Sequence, residues 1–279
     1  MSKQQPTLFP PTPNWGTVSE SSKTKADPDS RRTYISNLLV TESLQHLPAA
    51  VEHPSTDAFK AYLREHLHFN SANTRFRYAE YIAQRYSYEG NVNLALARFL
   101  KLCPDDRARR EVLWFETIRA TPLLKELCAA WLAKIPESGA TREEMIAFLQ
   151  PRVGNRKPDK IAKEAILGLK KYGHMKSPKP GHYLAVWADP PIDALAYALS
   201  QLYPTATAVR MEVFKTDPLW QALLWPAAGL EKLIVQAERT GEIGRVTHLD
   251  NYYQFVLQGT GEERLERLLR KWSKGAISK

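Results

Sequence analysis

Only two cysteines, Cys103 and Cys128, occur in 279 residues. They form no close pair of the metal-binding type, and two thiols in a cytosolic chain usually serve as small buried apolar groups. No structural disulfide is expected. No apolar run reaches about 18 residues, so no spanning helix and no membrane partner are expected. The opening residues, MSKQQPTLFPPTPNWG, lack the apolar stretch of a secretory signal. The expected location is therefore the cytoplasm. The usual catalytic signatures are missing too. There is no P-loop, no dinucleotide glycine fingerprint, no HExxH and no GxSxG. Nothing specific argues for an enzyme, a cofactor or a small-molecule substrate.

Acidic charge is scarce in one place. Residues 150–181 carry nine basic side chains: Arg152, Arg156, Lys157, Lys160, Lys163, Lys170, Lys171, Lys176 and Lys179. Only Asp159 and Glu164 oppose them. Most of the chain's net charge of +9 therefore sits in this segment. A concentrated positive field attracts polyanions. Nucleic acid adds a driving force, because neutralised phosphates release counterions. A solvated face normally mixes signs, and this one does not. Lysine acts as a point charge, whereas arginine makes the commonest specific contact to guanine. Weak sequence discrimination is expected.

The apolar fraction of 43% suits a chain with a substantial core. Residues 1–30 hold five prolines among many Ser, Thr and Lys and read as a disordered tail, with Phe9 and Trp15 as possible docking points. Residues 31–140 read as a helical domain. Tyr34, Leu38 and Leu39 have helical spacing, and further helices are predicted near 56–68, 74–87, 93–102, 107–120 and 123–135. Asn73 or Thr74 is the expected cap of the third. No strand is expected to interrupt this run.

After residue 140 the pattern changes. Thr141 and Glu144 have capping-box spacing. A basic turn follows, then a helix from Asp159 ending at Gly173, then an extended run over 183–187. Residues 141–204 thus read as a basic winged-helix-like unit plus a linking helix. Residues 205–279 repeat the order, with helices after Asp217 and Pro226. Extended runs follow over 245–249 and 252–257, turning at Asp250 and Asn251, and a last helix covers 262–272. The expected fold is mainly α: a helical N-terminal domain followed by winged helix-turn-helix-like units with short β-hairpins.

Other constellations are weaker. Arg75 and Arg77 open a helix, where cations oppose the macrodipole, so an acidic neighbour or a phosphate should offset them. His66 and His68 are two apart and project to different sides of a helix, a poor metal site. Glu143 and Glu144 favour a helix start. Trp220, Trp225 and Tyr252 are expected in the core of the last unit.

The region from Arg31 to about Trp187 resembles the BrxA family of bacteriophage-exclusion (BREX) defence systems. Asn73-Thr74-Arg75-Phe76-Arg77 and Ile82-Ala83-Gln84-Arg85-Tyr86 carry the first match. Leu113-Trp114-Phe115-Glu116-Thr117-Ile118, Pro122-Leu123-Leu124 and Cys128-Ala129-Ala130-Trp131-Leu132 carry the second. Thr141 to Leu149 and Leu169-Lys170-Lys171-Tyr172-Gly173-His174-Met175 carry the third. The resemblance implies a helical, two-lobed, non-enzymatic protein that binds double-stranded DNA beside other proteins of a defence complex. The long N-terminal tail and residues 205–279 depart from that pattern. Two alternatives stand beside it. One is a protein–protein adaptor whose last unit, rich in Glu231, Glu238, Glu242, Glu262, Glu263 and Glu266, offsets its own basic charge. The other is a transcriptional regulator, which would need a dimer that no coiled-coil pattern here enforces.

Overall fold

Helices dominate. The computed structural model describes residues 38–154, 156–249 and 252–273. The proposed tail, Tyr34, Asp250 and Asn251 lie outside these residues. The first helices are α1 (Val40–His46), α2 (Thr56–His66) and α3 (Ala72–Arg85). Leu38 and Leu39 precede α1 rather than forming it, and Leu39 is left-handed at φ 47°. α3 starts two residues early because Ser71, not Asn73 or Thr74, is its cap, accepting from the Thr74 amide.

A hairpin of β1 (Ser87–Tyr88) and β2 (Asn91–Val92) interrupts the helical run, contrary to expectation. Glu89 and Gly90 supply its turn, both at positive φ, and strands this short show no alternation. Then come α4 (Leu94–Leu102), capped by Asn93, and α5 (Asp106–Ala120), capped by Asp105. α6 (Pro122–Glu126) begins at a tolerated first-turn proline. The single helix expected to Ile135 instead widens over Leu127–Trp131 and tightens over Leu132–Lys134.

α5 organises the core. Every residue from Glu111 to Ile118 is buried, so this helix is enclosed on all sides. Its two buried carboxylates have partners, as the cost of burying a charge requires. Glu111 accepts from the Trp225 indole at 2.9 Å, and Glu116 accepts from the Tyr197 hydroxyl at 2.9 Å. One continuous apolar cluster runs from Leu38 to Leu269.

Two three-stranded sheets flank this core. The first combines β3 (Ala140–Thr141), β4 (Met175–Lys176) and β5 (His182–Ala185) in the order β3-β5-β4. Between β3 and β4 lie α7 (Arg142–Leu149) and α8 (Pro158–Tyr172). α9 (Ile192–Leu202) links onward. The second sheet combines β6 (Thr207–Arg210), β7 (Val246–Leu249) and β8 (Tyr252–Leu257) in the order β6-β8-β7. Between β6 and β7 lie α10 (Met211–Thr216), α11 (Pro218–Leu223) and α12 (Ala227–Arg239). α13 (Gly261–Ser273) closes the described chain.

Both halves therefore share one plan. A strand leads into helices, a hairpin returns, and the last strand slots between the first and its hairpin partner. All these pairs are antiparallel. β3 and β6 escape the sequence pattern because each pairs with a distant strand, with no hairpin turn between the two to mark it.

Candidate nucleic-acid interface

α8 is built to present one face. Pro158 occupies its first turn, where a missing N–H costs nothing. Gly173, at φ 88°, ends it in a Schellman motif: its own amide donates to Lys170 O and the His174 amide to Leu169 O. Ala162, Ala165, Ile166, Gly168, Leu169 and Tyr172 are buried on the inner side. Lys157, Lys160, Lys163, Leu167, Lys170 and Lys171 are exposed. At 100° per residue, these six fall on one side of the helix.

The orientation of α8 is fixed at both ends. The capping box opens α7, with Glu144 accepting from the Thr141 amide at 2.6 Å and the Thr141 hydroxyl accepting from the Glu144 amide at 3.3 Å. Arg142, next along, pairs with the Asp159 carboxylate in the first turn of α8. At the far end the Tyr172 hydroxyl meets Thr117 Oγ1 at 2.7 Å, and Thr117 in turn meets the Tyr86 hydroxyl at 2.8 Å. His174 stacks on Trp114 with ring centroids 4.8 Å apart and places Nε2 3.4 Å from Glu111 Oε2.

Lys176 and Lys179, both exposed, stand on and beside the β4–β5 hairpin. Lys170 lies over the Tyr183 ring of β5, 5.2 Å from its centroid, which joins the hairpin to the helix. Lys157, Lys160, Lys163, Lys170, Lys171, Lys176 and Lys179 are thus all exposed on α8, its start and the hairpin that Lys170 joins to it. Among the described residues, no carboxylate lies within ion-pair distance of any of these seven. Of the two opposing acids, Asp159 is held by Arg142 and Glu164 remains half-buried at the edge.

The arginines behave differently. Arg152 pairs with Glu126 at 2.8 Å, donates to Phe148 O at 2.7 Å and lies 3.8 Å over the Phe148 ring. Arg156 is half-buried and also engaged. Arg75 is on α3, away from the α8 and hairpin segments in sequence and element. Its guanidinium donates to Arg64 O at 3.1 Å and Phe69 O at 2.6 Å. The partners that offset its place at a helix start are thus backbone carbonyls in the last turn of α2 and in the loop that follows it. Arg77 is exposed, 5.7 Å from the Tyr78 ring centroid.

Tyr252 corrects an expectation. Trp220 and Trp225 are buried and stacked, their centroids 5.7 Å apart, but Tyr252 is 61% exposed at the start of β8. Alternation along the strand places Phe255 and Leu257 inward instead. Both thiols are buried, and burial pushes Cys103 up to about 11 and Cys128 higher still. Among the described residues no group of three or more His, Cys, Asp or Glu is placed to hold a metal, and no helix is long and apolar enough to cross a membrane.

No family model and no curated protein matches the chain. Two crystal structures of SspB share its architecture. Magnesium-bound SspB superposes with a TM-score of 0.56 at 11% identity, and a second SspB structure with 0.53 at 10%. Each likeness spans 83% of this chain and 85% of the other. At such identity the likeness concerns the fold alone.

Proposed function

We propose that this protein is a non-enzymatic, double-stranded DNA-binding component of a multi-protein phage-defence system, holding DNA mainly through its phosphates. The observation that carries the DNA reading is the group of seven exposed lysines on α8 and the β4–β5 hairpin with no ion-pairing carboxylate among the described residues. The order of α7, turn, α8 and hairpin supports a winged helix-turn-helix reading. In that motif the second helix enters the major groove while flanking groups hold the backbone. Lys157 and Lys160 stand at the helix start, where they oppose the macrodipole. A phosphate at that end would reverse the penalty, since helix N-termini favour anions. The defence setting rests on the BrxA resemblance. Arg75 and Arg152 are occupied within the chain and are secondary in this reading.

Fluorescence anisotropy with unrelated duplexes across a salt series tests the reading. Micromolar or tighter binding is expected, with little sequence dependence. If the α8 region alone neutralises about six phosphates, its share of the log–log salt slope is roughly −5. Absence of binding at low salt overturns the DNA reading and leaves the lysines as a dock for an acidic protein. Supercoiled plasmid incubated with the protein and magnesium should stay intact; nicking would overturn the non-enzymatic part.

A further inference from the structure

We infer that the outer face of α12 and the β7–β8 hairpin form a second double-stranded DNA contact, an inference that rests on the reading of α8 above. The first support is positional. α12 occupies in the β6-β8-β7 unit the place that α8 occupies in the β3-β5-β4 unit, as the last helix before the hairpin. Its buried side, Gly229, Leu230, Ile234 and Ala237, turns the opposite stripe outward. That stripe carries Ala228, Lys232, Gln236 and Arg239, all exposed. Ala228 leaves room at the helix start, and glutamine and the two cations are groups that contact DNA backbone.

Charge is the second support. The glutamates of this half suggest neutrality by composition, yet most are engaged inside the chain. Glu231 takes the Lys215 ammonium at 2.7 Å, which holds its carboxyl below the usual range. Glu238 accepts from the Val246 amide at 2.8 Å, fastening the hairpin to α12. Glu242 pairs with Lys271, Glu266 with Arg98, and Glu263 accepts from the Thr260 amide. Lys232, Arg239 and Arg245, by contrast, meet no carboxylate at ion-pair distance among the described residues. The hairpin adds exposed Arg245, His248 and Tyr252 beside them. Glu238 keeps its negative charge at Val246, and the three exposed cations Lys232, Arg239 and Arg245 still leave this face net positive, complementary to a phosphate backbone and not to a basic protein surface.

The test compares the full-length protein with a K232E/R239E/R245E variant by anisotropy on the same unrelated duplexes, with circular dichroism and thermal melting of each. The variant should bind every duplex at least about ten-fold more weakly near physiological salt. Losing three phosphate contacts should make the salt slope shallower by roughly 2.7. Should the triple variant fail to fold, Lys232→Gln and Arg245→Gln singly should each reduce the slope by about 0.9. A folded triple variant with wild-type affinity and slope overturns the second contact while leaving the α8 reading intact. A wild-type protein that binds no duplex overturns both. Weakening confined to one sequence would also overturn it, because phosphate contacts carry no sequence information.

Discussion

The Tyr172 hydroxyl at the last turn of α8 sits 2.7 Å from Thr117 Oγ1 on α5. Thr117 also meets the Tyr86 hydroxyl at 2.8 Å and donates to Leu113 O. One small side chain therefore ties the lysine-bearing helix to α5 and to the end of α3. Thr117→Val keeps the shape but removes the hydroxyl between two buried phenols. Leaving buried polar groups unpartnered costs about 1–3 kcal/mol. Urea unfolding should show that loss at an unchanged m-value, with duplex affinity close to wild type for the folded fraction. An unchanged midpoint would mean the hydroxyls contribute nothing net.

Charge reversal at Lys160, Lys163, Lys170 and Lys171 should weaken binding on all duplexes alike. Four lost phosphate contacts reduce the salt slope by roughly 3.6. These side chains are exposed and without ion pairs, and only the Lys170–Tyr183 ring contact is lost, so the melting temperature should fall only slightly. A salt titration of the variant checks both points. Affinity that survives the four reversals would place the DNA contact elsewhere on the protein.

Local chemistry made much of this fold readable. The Thr141–Glu144 capping box, Gly173 at the end of α8, and the runs that became β7 and β8 all stand where short-range signals put them. What escaped depended on partners far along the chain. β3 pairs with β5 and β6 with β8, and neither stands beside its partner in sequence, so no turn residues announce them as they announce β7 and β8. Composition overstated the free acid near the C-terminus, because Glu231, Glu242 and Glu266 are paired within the chain. It overstated Arg75 and Arg152 as available cations for the same reason. The exposure of the α8 lysines was legible because the two acids among them are too few to pair with them all, and Asp159 is taken by Arg142.

His46 should make stability depend on pH. It is buried at the end of α1, with its ring 6.0 Å from Tyr62 and 6.3 Å from His68. Burial, then the His68 and His66 charges, push its pKa below 6.5, and Glu42 acts the other way. The unfolded chain then binds the proton more readily than the folded one. The contribution is complete above pH 6.5, falls as pH drops from there to the folded value, and is flat below it. One such group changes stability by at most about 1.4 kcal/mol per pH unit. Urea midpoints between pH 7.5 and 5 should show the decline, and His46→Phe, which cannot titrate, should flatten it. An identical profile for the variant would assign the decline to other groups.

Gly261 should resist the substitution that normally helps a helix. Alanine is favoured over glycine in helices by roughly 0.8–1 kcal/mol. At this position, the start of α13, a Cβ would lie 2.2 Å from the Ser200 carbonyl oxygen and 3.3 Å from the Pro204 Cα. Both are backbone atoms, so no side chain can swing aside. The Gly261 amide also donates to Pro204 O at 2.9 Å, fixing the approach. Adding a methyl means moving α13 away from the end of α9, against the packing of Leu265, Leu268 and Leu269 and the Arg98–Glu266 pair. Overpacking of this kind costs about 1–3 kcal/mol. For a chain of this size each kcal/mol lowers the melting temperature by roughly 2–4 °C. Gly261→Ala should therefore melt below wild type; a higher melting temperature would show that the end of α9 yields to α13 and that the close contact is not a constraint on the fold.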